Sequence, residues 1–285
     1  MHDLHYERPR TTAEACGLLA AAKGRAMILA GGTDLQIRLR DQPRAGLIVD
    51  IKKIPELCSI RPGAAGALEI GSAVTLRALI DDPTVGAAFP ALALAALAVG
   101  SFQVRGRATL GGNLCNASPC MDTAPVLLLL GASLRLQSAR GSRELPLTRF
   151  FTGVKRTLLE PDELCTTILI PAAARRLVTA FGKVKRVQGH DLALVNAAVS
   201  LDPEAETLGA AIGSAATTPV VCEPLTGVSS RSPDAALLGD ALAGAALKVI
   251  QPIDDVRASA EYRRDMTAML CRRLVREVVS GRRAS

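Results

Sequence analysis

Apolar side chains recur at helical spacing through "SAEYRRDMTAMLCRRLVREVV", where Met266, Met269, Leu270, Leu274 and Val278 share one face. That spacing predicts a C-terminal helix facing a core. A second helix is expected just upstream, in "PDAALLGDALAGAALKVI". At the other end of the chain Thr11 or Thr12 can cap a helix, with Glu14 in its first turn and Gly24 as its stop. "FPALALAALAVGS" reads as an alanine–leucine helix halted by Gly100, and "MDTAPVLLLLGAS" as a helix opening near Asp122 and Thr123. Thr75 starts a further helix that ends at "DDPTVG". Short unbroken apolar runs predict buried strands instead, in "RAMILAGG", "GLIVDI" and "DLALVNAAVSLD". Alternation in "SLRLQSARGSRELPL" predicts a hairpin turning at Arg140 and Gly141.

The pattern changes near Pro171. Before it, glycine-rich loops punctuate mixed helix and strand; after it, a few strands are followed by helices. The expected class is α+β, with a ligand-binding domain over residues 1–171 and a smaller α+β domain over 172–285. The first domain divides into subdomains of about 1–56 and 57–171.

Composition narrows the function. Five Phe, two Tyr and no Trp leave the core to Leu, Ala, Val and Ile. So few rings also remove the stacking platforms of single-strand nucleic-acid binders. The net charge of +7 comes from scattered basic residues without a lysine–arginine tract, so it reads as a solvated surface and not as a nucleic-acid face. Seven cysteines, odd in number and without C-x-x-C spacing, form neither a disulfide framework nor a zinc site. They read as small buried hydrophobes, and reduced thiols fit a cytoplasmic protein. The longest apolar runs fall short of the roughly 20 residues that span a bilayer. His2 and His5 read as surface residues, and with His190 they make no site.

Two segments carry the candidate chemistry: "ILAGGTDLQ" (Ile28 to Gln36) and "ATLGGNLCNASP" (Ala108 to Pro119). Neither is a P-loop and neither has dinucleotide-fold spacing. A glycine pair permits positive φ and lets main-chain amides approach a ligand. Amides curled into a concavity bind anions. The expected nests are Gly31, Gly32 and Thr33, and Gly111, Gly112 and Asn113 flanked by Thr109. Either alone is an ordinary turn; facing each other they make a slot suited to a pyrophosphate. A helix entering near Asp122 would add its N-terminal dipole. No lysine sits in either loop, which argues against nucleotide hydrolysis. With no catalytic carboxylate pair, triad or metal cluster in view, the chain reads as one that holds a cofactor.

"LAGGTDL", "TLGGNLCNASPCMDTAP" and "FFTGVKRTLLEPDELCTTILIP" together resemble the FAD-binding subunit of the molybdenum hydroxylases, the xanthine dehydrogenase and carbon monoxide dehydrogenase family. "FGKVKRVQGHDLALVNAAVSL" and "DVRASAEYRRDMTAMLCRRLV" resemble that family's C-terminal flavoprotein domain. The similarity runs from about Tyr6 to Val279. It implies a two-subdomain FAD-binding fold of the vanillyl-alcohol oxidase/PCMH type, closed by the α+β domain. By this resemblance Ile28, Leu29, Ala30, Gly31, Gly32, Thr33, Asp34 and Leu35 form one jaw on the FAD pyrophosphate. Thr109, Gly111, Gly112 and Asn113 form the other. Ser118 and Asp122 continue it, and Leu164 or Cys165 matches an apolar position near the cofactor. Lys183 matches a basic residue near the isoalloxazine, where a cation favours the anionic reduced flavin. Gly100 is also carried over as a cofactor-binding position; some relatives place an aromatic near Val99 or Gly100, and this sequence has none there. The cysteine-bearing insertion of one branch is absent, so no metal is expected in this chain. The resemblance implies a molybdopterin-binding large subunit and a [2Fe-2S] small subunit as partners, with NAD or another carrier as final acceptor. The alternative of another class is a non-flavin nucleotide-binding or scaffold protein that retains the fold.

Overall fold

The computed structural model describes residues 4–41, 45–228 and 234–281, so the expectation for His2 lies outside the described residues. The first unit runs β1 (Leu4–Glu7), α1 (Thr12–Ala22), β2 (Ala26–Leu29), α2 (Leu35–Asp41) and β3 (Gly46–Asp50). Its strands form a parallel sheet in the order β1-β3-β2. The Thr11 side chain accepts from the Glu14 amide, and Glu14 reaches back to the Thr11 amide, a complete capping box for α1. Lys23 ends the helix in the left-handed region. Ala15, Cys16 and Leu19 of α1 then bury against Val49, Ile51, Ile54 and Leu57. The first glycine segment leaves the carboxyl end of β2.

The second unit begins with β4 (Ile60–Pro62) and β5 (Leu68–Gly71). Short helices follow: α3 (Leu76–Asp81), α4 (Pro83–Ala88), α5 (Pro90–Leu97), α6 (Phe102–Arg105), α7 (Leu110–Cys115) and α8 (Thr123–Leu129). Then come β6 (Ser133–Ser138), β7 (Gly141–Pro146), the small hairpin β8 (Phe151–Gly153) and β9 (Arg156–Thr157), and β10 (Leu164–Ile170). The sheet order is β4-β5-β10-β6-β7, antiparallel at every step. The helix that Thr75 caps ends at Asp81, as the "DDPTVG" stretch predicts, and the same stretch then opens a new helix. Asp82 accepts from the Val85 amide, and Pro83 occupies the first helical position, where its missing N–H costs nothing. The core gathers Phe89, Leu92, Leu110, Leu127, Leu134, Phe150 and Ile168.

The third unit is an antiparallel sheet of β11 (Val178–Val184), β12 (Val195–Asp202) and β13 (Thr207–Gly213), extended by β14 (Val220–Val221) and β15 (Leu225–Thr226), both on β13. Helices α9 (Ala235–Val249) and α10 (Ala260–Val279) follow. All eight residues of β12 are buried, because its two faces have different partners. Val195, Ala197 and Val199 pack with Leu242, Leu270 and Leu274 of the two helices. Ala198 and, on β13, Ala211 join the core of the second unit. That second face is built from small residues: a Cβ on Gly209 would lie 3.6 Å from Leu129 of α8, and one on Gly213 would lie 3.3 Å from Pro125. The leucine-rich α8 can therefore lie close on the sheet, and the third unit is seated directly on the element that follows the second glycine segment.

Candidate cofactor site

The two glycine segments meet, and glycine is what lets them. A Cβ on Gly31 would fall 2.2 Å from the Arg107 carbonyl oxygen and 2.8 Å from Ala108 Cα. A Cβ on Gly111 would fall 2.4 Å from Ser72 Cβ. The first segment thus rests on the backbone just ahead of the second, and the second rests on the end of β5. Asn116 Nδ2 donates to Asp34 Oδ1 at 2.8 Å and ties them together again.

Their chemistry differs from the symmetrical expectation. Residues 30–34 form no helix or strand, and Gly32 has φ +79°. The amides of Gly31, Gly32 and Thr33 donate to no described residue. They are free donors for an anion, as a nest requires. The second segment is not a loop but the first turn of α7. Thr109 caps it, accepting from the Gly112 amide at 3.0 Å. The Gly111 amide is spent on Ser72 O at 3.0 Å and the Asn113 amide on Thr109 O at 2.9 Å. The expected second nest of free amides is therefore corrected. What α7 offers is a bare backbone at exposed Gly112, whose Cβ position lies 4.0 Å from Ala30 Cβ, and the Asn113 side-chain N–H groups. Asn113 Oδ1 is already taken by Thr123 Oγ1 at 2.8 Å.

Asp122 and Lys183 come together. Lys183 Nζ donates to Asp122 Oδ2 at 2.7 Å and to Ala98 O at 2.9 Å. Asn196 Nδ2 donates to Asp122 Oδ1 at 2.8 Å and to Met121 O at 3.2 Å. Both charged side chains are nearly sealed from solvent, at 8 % and 5 % exposure. Burial pushes the Asp122 carboxyl up from its ordinary value, while Lys183 and Asn196 pull it back. So Asp122 is engaged within the protein, and its carboxylate is not open to a ligand. Lys183, Asn196 and Gly213 form one row across β11, β12 and β13. This row holds the end of the second segment from the third unit.

Other expected positions play structural parts. Leu164 and Cys165 are core residues, 1 % and 2 % exposed, packed in the first and second cores respectively. Their side chains are packed among core neighbours, and Cys165 also meets the Cys115 thiol of α7. Gly100 makes the turn after α5 at φ +55°, and Arg105 holds it by donating to the carbonyls of Val99 and Gly100. Ser118 stays partly exposed, and its hydroxyl accepts from the Cys120 amide at 3.4 Å. Ile28, Leu29 and Ala30 are half-buried and Leu35 is buried, which anchors the first segment at both ends. The seven cysteines are all free thiols, four of them buried, and Cys58 is exposed.

Three residues escaped the sequence reading. Asn196 is fully buried near the start of β12, between Val195 and two alanines, and a polar amide among those apolar neighbours was its signal. Asn116 lies inside the quoted second motif but was not singled out. Lys155, at the turn between β8 and β9, places Nζ 3.9 Å from Asp34 Oδ1.

The donor set fits FAD: three free main-chain amides and the Thr33 hydroxyl for a diphosphate, and a side-chain-free approach at Gly112; Lys183 is paired with Asp122 and spent within the protein. A βαβ unit and a larger mixed unit brought together over such donors, with a third unit closing on them, define a two-subdomain flavin-binding protein. Residues 2–173 match the family described as the FAD binding domain in molybdopterin dehydrogenase. Residues 179–278 match the CO dehydrogenase flavoprotein C-terminal domain. The chain belongs to this family of FAD-binding subunits of molybdenum hydroxylases. It is 32 % identical over 281 residues to the xanthine dehydrogenase FAD-binding subunit of Escherichia coli, covering 97 % of this chain and 96 % of the relative. It is 33 % identical over 277 residues to the carbon monoxide dehydrogenase medium chain of Hydrogenophaga pseudoflava, covering 94 % of each. Among solved structures, carbon monoxide dehydrogenase from Hydrogenophaga pseudoflava superposes with a TM-score of 0.90 at 30 % identity, over 99 % of both chains. Quinoline 2-oxidoreductase from Pseudomonas putida 86 does so at 0.89 and 27 %, over 99 % of this chain and 98 % of the other. No helix among the described residues is long and apolar enough to cross a membrane.

Proposed function

We propose that the chain is the electron-handling subunit of a molybdopterin-dependent hydroxylase, taking electrons from a [2Fe-2S] subunit and passing them to NAD or another acceptor. Hydroxylation then belongs to a separate molybdopterin subunit. Bound FAD supplies the conversion between one-electron and two-electron transfer. The residues of this chain bind it, orient it and set the charge around it. Gly31, Gly32 and Thr33 present amides to the diphosphate, Gly112 lets the cofactor pass close to α7, and Lys183 brings a cation to the seam with the third unit. The observation that carries this reading is the free amide run at Gly31–Thr33, pressed by a close glycine approach onto the backbone that leads into α7.

Seven free thiols and the absence of disulfides among them support a cytoplasmic setting. The separate cores support a division at residues 1–171 and 172–285, with subdomains of about 1–56 and 57–171. The test is spectroscopic. The purified chain is expected to carry, or to take up, a flavin that is released as FAD on denaturation. Replacing Gly32, at φ +79°, or Gly112 by leucine is expected to abolish that retention while the far-UV spectrum stays that of a folded protein. A colourless chain that FAD cannot reconstitute contradicts the reading.

A further inference from the structure

We propose that Lys155 is an additional anion-binding residue of the cofactor site, directed from the β8–β9 turn at the diphosphate; this rests on the FAD reading above. Lys155 adopts φ +58°, a left-handed conformation that glycine or asparagine takes at lower cost. A lysine held there conflicts with local preference, and such conflicts concentrate at functional positions. The conformation is locked from outside the turn. The Lys155 amide donates to Ala117 O at 2.9 Å, and Ala117 is itself left-handed at φ +46°. Two strained non-glycine residues thus meet where α7 runs into the Ser118–Asp122 segment.

The side chain is placed but poorly paired. Nζ lies 3.9 Å from Asp34 Oδ1, at the outer limit of an ion pair, and that oxygen already accepts from Asn116. No shorter acceptor for Nζ stands among the described residues. The charged and titratable groups facing it are Asp34, Arg38 and Cys120. Asp34 directly follows the free amides of Gly31, Gly32 and Thr33. The Lys155 side chain is 51 % exposed, and its ammonium has one long contact to its name, to the residue that follows the amide nest. Burial lowers its pKa, Arg38 adds to this and Asp34 opposes it; a bound anion would reverse the burial effect. The β8–β9 turn, the first glycine segment and the end of α7 meet through Asp34, Asn116 and Ala117, and the ligand chemistry that free amides and an ammonium share is that of an anion such as a diphosphate.

The test titrates FAD and, separately, ADP into the full-length apo chain at low and high salt, for wild type, Lys155→Gly and Lys155→Arg. Lys155→Gly is expected to weaken FAD about tenfold, equivalent to about 1.4 kcal/mol. ADP is expected to weaken by a similar factor, and the salt dependence of both to flatten. Lys155→Arg should stay near wild type. The melting temperature of apo Lys155→Gly should hold or rise, because glycine adopts the turn without strain, so lost affinity cannot be put down to misfolding. Asp34→Asn serves as the background that separates a direct contact from neutralisation of Asp34. If Lys155→Gly still weakens FAD there, the lysine acts on the ligand itself. Affinity within about twofold of wild type, a loss for FAD without one for ADP, or a loss that vanishes in Asp34→Asn overturns the proposal. A wild-type chain that binds neither ligand overturns the FAD reading, and this proposal with it.

Discussion

At Gly31 a single methyl group decides whether the site exists. Its Cβ would occupy the space of the Arg107 carbonyl, 2.2 Å away, and backbone cannot rotate aside as a side chain can. Gly31→Ala is expected to destabilise the chain by about 1–3 kcal/mol through overpacking and to lose FAD as the two segments part. Gly17, inside α1 with nothing within 4 Å of its Cβ position, is the control. Gly17→Ala should stabilise by roughly 0.5–1 kcal/mol, the usual helix preference for alanine. Thermal or urea unfolding of both variants checks the pair. The buried Lys183–Asp122 contact sets a second residue-scale expectation. Asp122→Ala strands the Lys183 ammonium and should cost about 3–5 kcal/mol, whereas Lys183→Met with Asp122→Leu should recover most of the stability. If the double variant is no better than the single one, the loss comes from packing and not from an unpaired charge.

At the scale of elements, the third unit is held by a row of three residues and by a linker. Gly213 belongs to the row. A Cβ there would lie 2.1 Å from Asn196 Oδ1, so Gly213→Ala should displace the amide that orients Asp122. Protease digestion is expected to release residues 172–285 faster from that variant than from wild type; equal rates would deny the row its role as a clamp. The linker is fixed at Asp202, at the end of β12. Arg176 hydrogen bonds to it, and the amides of Glu204 and Ala205 add to that. Together they hold its carboxyl at about 2, below the ordinary 3.8. A carboxylate depressed by folding stabilises above its unfolded pKa and loses that contribution as pH falls through its folded one. The melting temperature should therefore fall between about pH 4 and pH 2 in wild type, and Asp202→Asn should remove that part of the slope.

These elements also show what a sequence discloses. The α1 capping box, the β6–β7 hairpin and the α10 face were legible because each depends on near neighbours and a simple period. The helical state of Gly111 and Gly112 was not, since a glycine pair usually signals a turn; the Thr109 cap is what prevails. Leu164 and Cys165 were placed near the cofactor by motif, but the burial of both faces of β10 follows from tertiary packing, which no local pattern carries. Gly31 was marked as a ligand glycine, yet its sharpest constraint is the carbonyl of Arg107, far along the chain in sequence but in contact in the fold. Lys155 went unmarked because its conformation depends on Ala117.

For the whole molecule, the third unit closes on α8, and α8 follows the second glycine segment, which the proposed function sets against the cofactor. Binding should therefore stabilise all three units together. At a free FAD concentration near 100 times Kd the added stability is about 2.7 kcal/mol. For a chain of this size that corresponds to a rise in Tm of roughly 4–5 °C. A single cooperative transition that moves as one with FAD supports a clasp; a shift confined to part of the transition would mean that the third unit is a bystander.

The most direct measurement is a crystal structure of the full chain with FAD. The account predicts the diphosphate oxygens within about 3 Å of the amides of Gly31, Gly32 and Thr33, the ordinary hydrogen-bond range, with the bare edge of Gly112 alongside. A diphosphate lying elsewhere, with those amides turned to water, would contradict it.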